Sequence, residues 1–170
     1  CFIIFDVLKE LGFSVNDFLT RISNRKILSG LIQAVKLADT TILGDIELVV
    51  FRAIDKLDRL GLEGVKNLLA KGRTDSSGDF TEGANLSAYQ IDTIISFLKI
   101  TNDDPFKTLE EMKYLIGDSE IGQQGISELS NITDTLLSKD ISNLSFKIDP
   151  SVVRGLAYYT GTVFETELST

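Results

Sequence analysis

The sequence contains no histidine at all. That removes imidazole metal ligands, Ser-His and Cys-His pairs, and an imidazole general base, so a self-contained hydrolase site is not expected. A single cysteine, Cys1, excludes an internal disulfide and fits a reducing cytosol. The only methionine is Met112, and the chain opens on Cys1, so it reads as a piece of a longer protein. No apolar run approaches the roughly 20 residues of a membrane helix, and no signal-peptide pattern opens the chain. Basic residues are also in short supply. The formal net charge is -8 over 170 residues. A dedicated nucleic-acid-wrapping domain, which needs Lys and Arg at many phosphates, is therefore not expected, although a local contact is compatible with the balance.

What is present is an ordinary globular composition, 43% hydrophobic and 25% charged, long enough to bury a core. Residues 2–11 have a helical apolar face from Phe2, Phe5, Val7, Leu8 and Leu11, with Gly12 as the stop. Phe18, Leu19 and Ile22 suggest a short strand. Ile27, Leu28, Leu31, Ile32 and Val35 fall at helical spacing behind Asn24, a good N-cap. After about residue 40 the pattern becomes helical. Val50, Ala53, Ile54, Leu57 and Leu60 make one stripe that Gly61 breaks; Val65, Leu68 and Leu69 make another that Gly72 ends.

Residues 73–85 read as a surface loop rich in Ser, Gly and Asp. Ile91, Ile94, Ile95 and Leu98 mark a further helix, and Asp103-Asp104-Pro105 a breaker. Thr108 and Glu111 have capping-box spacing, which predicts a helix start there running to about Ile116. Ile126, Leu129, Ile132 and Leu136 predict the last helix. Leu144, Phe146 and Ile148 alternate as a strand that Pro150 ends, and residues 158–166 read as another strand. The expected fold class is therefore α/β (α+β) and mostly helical, with a helical block inserted between sheet-forming segments.

One ordered string carries chemistry. Val153, Arg154, Gly155, Leu156, Ala157, Tyr158, Tyr159, Thr160, Gly161, Thr162, Val163, Phe164 and Glu165 place a permanent cation and a glycine ahead of two tyrosines entering a strand. Arginine offers a planar fork of donors to carboxylate or phosphate, and tyrosine combines an apolar ring with a polar tip. On residue types alone, two ordinary strand aromatics and a surface charge are the favoured explanation of the string.

The order of the residues goes further. RGLAYYTGTVFE resembles the second histidine-binding motif of histidyl-tRNA synthetases, written R-G-L-D-Y-Y and followed by T-G-x-V-F-E. Upstream, Arg21-Ile22-Ser23-Asn24-Arg25-Lys26-Ile27-Leu28 resembles the stretch that follows the second class II motif. Ala53-Ile54-Asp55-Lys56-Leu57-Asp58 resembles the family's "DKLD" helix, and Lys147-Ile148-Asp149-Pro150 sits where the family has a strand leading into the histidine motif.

This resemblance implies a class II aminoacyl-tRNA synthetase fragment. Residues 1–40 and 143–170 would belong to the catalytic domain, and 41–142 to a helical insertion domain that approaches the tRNA acceptor stem. The parent would be a cytoplasmic homodimer. It would activate histidine with ATP and Mg2+ and pass it to tRNA(His). Arg154 would be the catalytic arginine and contact both the ATP α-phosphate and the histidine carboxylate. Tyr158 and Tyr159 would line the histidine pocket, Gly155 and Leu156 would shape the turn, and Gly161 would lie on the strand floor. Arg52, Lys56, Arg59, Lys66, Lys71 and Arg73 would offer tRNA a basic face, set against Asp55, Asp58 and Glu63; a solvated helix face is the alternative.

Ala157 departs from the family's aspartate. The regulatory paralogue of ATP phosphoribosyltransferase, which binds histidine without catalysis, keeps a related string and stands as the second reading. The fragment itself is expected to be inactive and to bind no cofactor alone, with no membrane partner. Its terminal strands could pair between copies. No EF-hand spacing arises from Asp75, Asp79 and Glu82, no phosphate loop from Gly122 and Gly125, and no metal site is expected.

Overall fold

The computed structural model describes residues 2–35, 43–142, 144–153 and 159–169. Helix α1 (Phe2–Glu10) leads to strand β1 (Phe18–Asn24) and helix α2 (Arg25–Ala34). Helices α3 (Leu43–Ile54) and α4 (Leu57–Leu69) follow, then a hairpin of β2 (Gly72–Thr74) and β3 (Phe80–Glu82). Three further helices, α5 (Ala88–Leu98), α6 (Pro105–Ile116) and α7 (Glu120–Leu137), precede β4 (Phe146–Ile148) and β5 (Thr162–Leu168). The fold is mixed α/β and largely helical, as the periodicities predict.

The sheet has the order β4-β1-β5, with β4 parallel and β5 antiparallel to β1. Cross-strand partners share a face. Phe18, Thr20, Ile22 and Asn24 therefore lie on one side with Phe146, Ile148, Thr162 and Thr166, and this side meets α7, whose Glu128 bonds Asn24. Helix α1 joins the core through Phe5, whose ring tilts against Phe18 at 5.8 Å. The opposite face is charged: Arg21, Lys147, Glu165 and Glu167 share it.

Several elements differ from expectation. The stretch 73–85 is a hairpin, because the Asp75 carboxylate accepts from the amides of Ser77 and Asp79 and closes the turn. The Val50–Leu60 stripe covers two helices. The backbone leaves helical geometry at Asp55 and Lys56 while the apolar spacing continues, and Gly61, at φ 64°, bends α4 as well. Helix α6 starts at Pro105, not Thr108. Asp104 caps it through the Phe106 amide, and Thr108 is buried one turn in, so Thr108 and Glu111 form no capping box. The capping box belongs instead to Ser87 and Gln90 of α5. Strand β4 is Phe146–Ile148, so Leu144 lies before it, exposed. Strand β5 begins at Thr162 rather than 158, because β1 ends at Asn24 and offers no earlier partner. The hairpin's three-residue strands are too short to show a period.

Helix α7 does not stand apart from the sheet. It crosses α2 where Gly30 meets Gly122, and Gly125 lies against Ile27. At the sheet end of this crossing, Asn24 is buried and uses its whole amide. Its Oδ1 accepts from the Lys26 amide and caps α2; its Nδ2 donates to Glu128 Oε2 at 2.7 Å and to Thr162 Oγ1 at 3.0 Å. Lys26 Nζ donates to Glu128 Oε1 at 2.5 Å. The Lys26 bond, helped by Asn24, holds the Glu128 carboxyl below its ordinary value, against a smaller effect of burial.

Two outcomes follow from this packing. A Cβ at Gly30 would stand 2.5 Å from Gly122 Cα, a backbone atom that cannot swing away. The better helix propensity of alanine is worth about 1 kcal/mol, and overpacking costs about 1–3 kcal/mol or more. The backbone clash decides the sign, so Gly30→Ala lowers stability in urea unfolding by about 1–2 kcal/mol; an unchanged or raised midpoint contradicts the crossing. Glu128 has a depressed folded-state pKa, so its contribution is complete above the ordinary value of 4.5 and fades as pH falls through the folded value. The stability gap between the wild type and Glu128→Gln is therefore widest above that value and narrows in acid. A gap that does not change with pH contradicts the assignment.

Candidate histidine site

The string that carries the resemblance is described only at its two ends. Val153 is buried at its start, and Tyr159, Thr160 and Gly161 lead into β5 at its end. Arg154, Gly155, Leu156, Ala157 and Tyr158 lie outside the described residues. The structure therefore gives the frame that holds the motif, together with one of its two tyrosines.

Tyr159 is 59% exposed. It lines a cleft of about 390 Å³ with Val152, Thr162, Val163, Phe164 and Glu165. The cleft thus brings Val152, from the turn ahead of the motif, beside the strand that follows it. Gly161 has room around it among the described residues. A Cβ there would meet only Glu128 Oε2, at 3.9 Å, an ordinary contact on the α7 side.

The frame has two parts. The first is a clamp on residues 159–162, which precede or begin β5. The Arg25 amide donates to the Gly161 carbonyl at 3.0 Å, Arg25 Nη1 donates to the Tyr159 carbonyl at 3.4 Å, and Asn24 holds the Thr162 hydroxyl. These bonds link residues more than a hundred positions apart, and no local pattern announces them. The second part is the charged face of the sheet. Arg21 Nη2 donates to Glu167 at 2.5 Å, and its Nε stands 3.9 Å from Asp149 Oδ2. Asp149 also accepts from the amide and hydroxyl of Ser151, which fixes the turn that delivers Val152 and Val153. Arg21, Ser151, Val152, Val153 and Glu165 line a narrow crevice with Asp55 and Asp58, so the α3–α4 junction covers this face next to the motif.

Local spacing marks Asn24 only as a cap and gives Arg21, Arg25, Asp149 and Glu128 no role at the site. The signal in the sequence is that Arg21, Asn24 and Arg25 fall in the stretch resembling the one after the second class II motif, and Asp149 in the Lys147–Pro150 stretch that also resembles the family.

The basic residues offered for tRNA are spread over three elements. Arg52, Arg59, Lys66 and Lys71 are exposed, whereas Lys56 and Arg73 are half-buried. The bend at Gly61 separates Arg59 from Lys66, so helical spacing alone does not put them on one face. Lys66 Nζ stands 3.9 Å from Asp92 of α5. Among the described residues no group of three His, Cys, Asp or Glu side chains could hold a metal ion. No helix among them is long and apolar enough to cross a membrane.

No protein-family model matches the chain. Curated proteins and solved structures do. The chain is 44% identical over 172 residues to the histidine–tRNA ligase of Dinoroseobacter shibae, covering 99% of this chain and 35% of that protein. It is 46% identical over 168 residues to the histidine–tRNA ligase of Bartonella henselae, covering 99% and 34%. The histidyl-tRNA synthetase structure from Nostoc sp. PCC 7120 superposes with a TM-score of 0.78 at 29% identity, over 98% of this chain and 35% of that one. A Bacillus halodurans structure, titled as an ATP phosphoribosyltransferase regulatory subunit/histidyl-tRNA synthetase, gives a TM-score of 0.68 at 21% identity over 98% and 37%, a likeness of fold alone. The chain spans about a third of the length of the curated relatives it matches. The chain is therefore homologous, over 99% of its own length, to about a third of a histidine–tRNA ligase.

Proposed function

We propose that this chain is the part of a histidine–tRNA ligase that carries its second histidine motif. The whole protein would activate histidine with ATP and Mg2+, then transfer it to tRNA(His). The observation that carries this reading is the 44–46% identity to named histidine–tRNA ligases across 99% of the chain, motif included. The weaker, fold-only likeness to the Bacillus halodurans structure leaves the regulatory-subunit reading second.

In the proposed reaction Arg154 contacts the α-phosphate and the histidine carboxylate. A guanidinium stays charged throughout, so it stabilises the charge that builds at phosphorus without moving a proton. Tyr158 and Tyr159 line the histidine pocket, and a hydroxyl reads the imidazole; Gly155 and Leu156 set the turn between them and Arg154. The exposed cleft beside Tyr159 supports this, since a ligand can reach that ring. Residues 41–142 act as an insertion domain, and its basic residues between Arg52 and Arg73 approach the acceptor stem. Their exposure supports that approach, although the pairing of Lys66 with Asp92 reduces its share. The parent works as a cytoplasmic homodimer.

The 170-residue chain alone is expected to be inactive, because it spans only a third of its relatives. Histidine-dependent exchange of pyrophosphate into ATP tests both statements. The whole ligase that carries this segment shows exchange, and Arg154→Ala in it lowers kcat by about a hundredfold or more, the range seen when one transition-state donor is removed. The 170-residue chain shows none. Histidyl-adenylate made by this chain alone, or full exchange by the Arg154→Ala ligase, contradicts the proposal.

A further inference from the structure

We propose that Arg25 is a positioning residue for the histidine site: it sets the backbone path of residues 159–161 and ties that path to helix α3. The proposal rests on the reading of residues 154–159 as a histidine motif.

Arg25 is the first residue of α2, directly after the Asn24 cap. Amides in the first turn of a helix have no acceptor within the helix. The Arg25 amide finds one in the Gly161 carbonyl, at 3.0 Å. Its guanidinium reaches the other way along the same stretch, to the Tyr159 carbonyl. One residue thus holds two carbonyls on either side of Thr160, in a stretch that no neighbouring strand pairs.

The guanidinium is itself held in place. It lies 4.9 Å over the ring of Phe51, and its Nη2 stands 3.7 Å from Glu47 Oε1. Ser29 Oγ donates to the same Glu47 oxygen at 2.5 Å. Phe51 and Glu47 are both on α3. A planar cation can stack on a ring, face a carboxylate and donate to a carbonyl at once, whereas an ammonium offers only a point charge. The residue type therefore matches the three demands made on it.

The consequence for the site is geometric. Tyr159 lines the cleft, and Arg25 holds the carbonyl of that same residue, so the backbone from which the ring projects is the one Arg25 sets. Displacement by about 1 Å of a group that orients substrate can cost on the order of a hundredfold. Because α3 supplies the ring and the carboxylate that orient Arg25, a shift of α3 is transmitted to Tyr159 through this side chain.

Two measurements test the proposal. In the 170-residue chain, backbone 15N order parameters of residues 159–161 are expected to fall from about 0.85, the rigid value, to below about 0.6 in Arg25→Ala. Residues 163–167 of β5 should keep theirs, which separates local release from unfolding. In the whole ligase, Arg25→Ala is expected to raise the KM for histidine about tenfold while kcat stays within about threefold, the signature of lost binding rather than lost chemistry. Arg25→Lys should recover only part of the loss.

Unchanged order parameters would overturn the proposal. So would a fall in kcat with KM unchanged, which is what a reduced folded fraction gives. If the unsubstituted ligase shows no histidine-dependent exchange, the functional reading has failed instead, and the order parameters still decide whether Arg25 sets the path.

Discussion

The buried side-chain amide of Asn24 is the point on which the site's frame depends. A buried amide left without partners costs about 1–3 kcal/mol, so its surroundings must supply acceptors and a donor. They do so from three directions: the first turn of α2, Glu128 of α7 and Thr162 of β5. The same residue ends β1 and starts α2. The end of the strand, the start of the helix, the entry of β5 and the seat of α7 are consequently not four independent choices. Satisfying one polar group fixes them together, and the close crossing of Gly30 and Gly122 then fixes how near α7 can lie.

The two faces of the small sheet divide the work. The side with Ile22, Phe146 and Ile148 packs against the helices, and its polar members, Thr20 with Thr166 and Asn24 with Thr162, bond each other across the strands. The other side carries Arg21 among the carboxylates of Asp149, Glu165 and Glu167, and the α3–α4 junction approaches it through Asp55 and Asp58. Residues of the α3–α4 junction therefore stand beside Ser151, Val152 and Val153, the turn ahead of the RGLAYY string. Arg25 makes the same connection on the other side of the motif, through Phe51 and Glu47. The helical block thus meets this frame at two places, the crevice lined by Asp55 and Asp58 and the contacts of Arg25 with Phe51 and Glu47.

Much of this architecture could be read directly from the residues, for physical reasons that also explain the gaps. Long stripes such as Ile91, Ile94, Ile95 and Leu98 repeat often enough to mark a helix, and Asn24 announces a cap by its type. The hairpin at Gly72–Thr74 and Phe80–Glu82 escaped because its strands are short and its turn depends on Asp75 bonding across the loop. The break between α3 and α4 escaped because Leu57 and Leu60 keep the apolar period while the backbone turns. Asp104 and Pro105 looked like a breaker, although together they form a good helix start. At the site, residue order in RGLAYYTGTVFE pointed to the family, and homology over 99% of the chain bears that out. The partners of Asn24 and Arg25 could not be read, since a contact between residues 24 and 128 leaves no trace in local spacing.

On the proposed function, this frame presents a histidine pocket. A crystal structure of the whole ligase carrying this segment, grown with histidine, tests it most directly. The predicted result is histidine density in the cleft beside Tyr159, its carboxylate at Arg154, with the Tyr159 and Gly161 carbonyls still held by Arg25. Histidine bound elsewhere, with that cleft closed by another part of the chain, would contradict it.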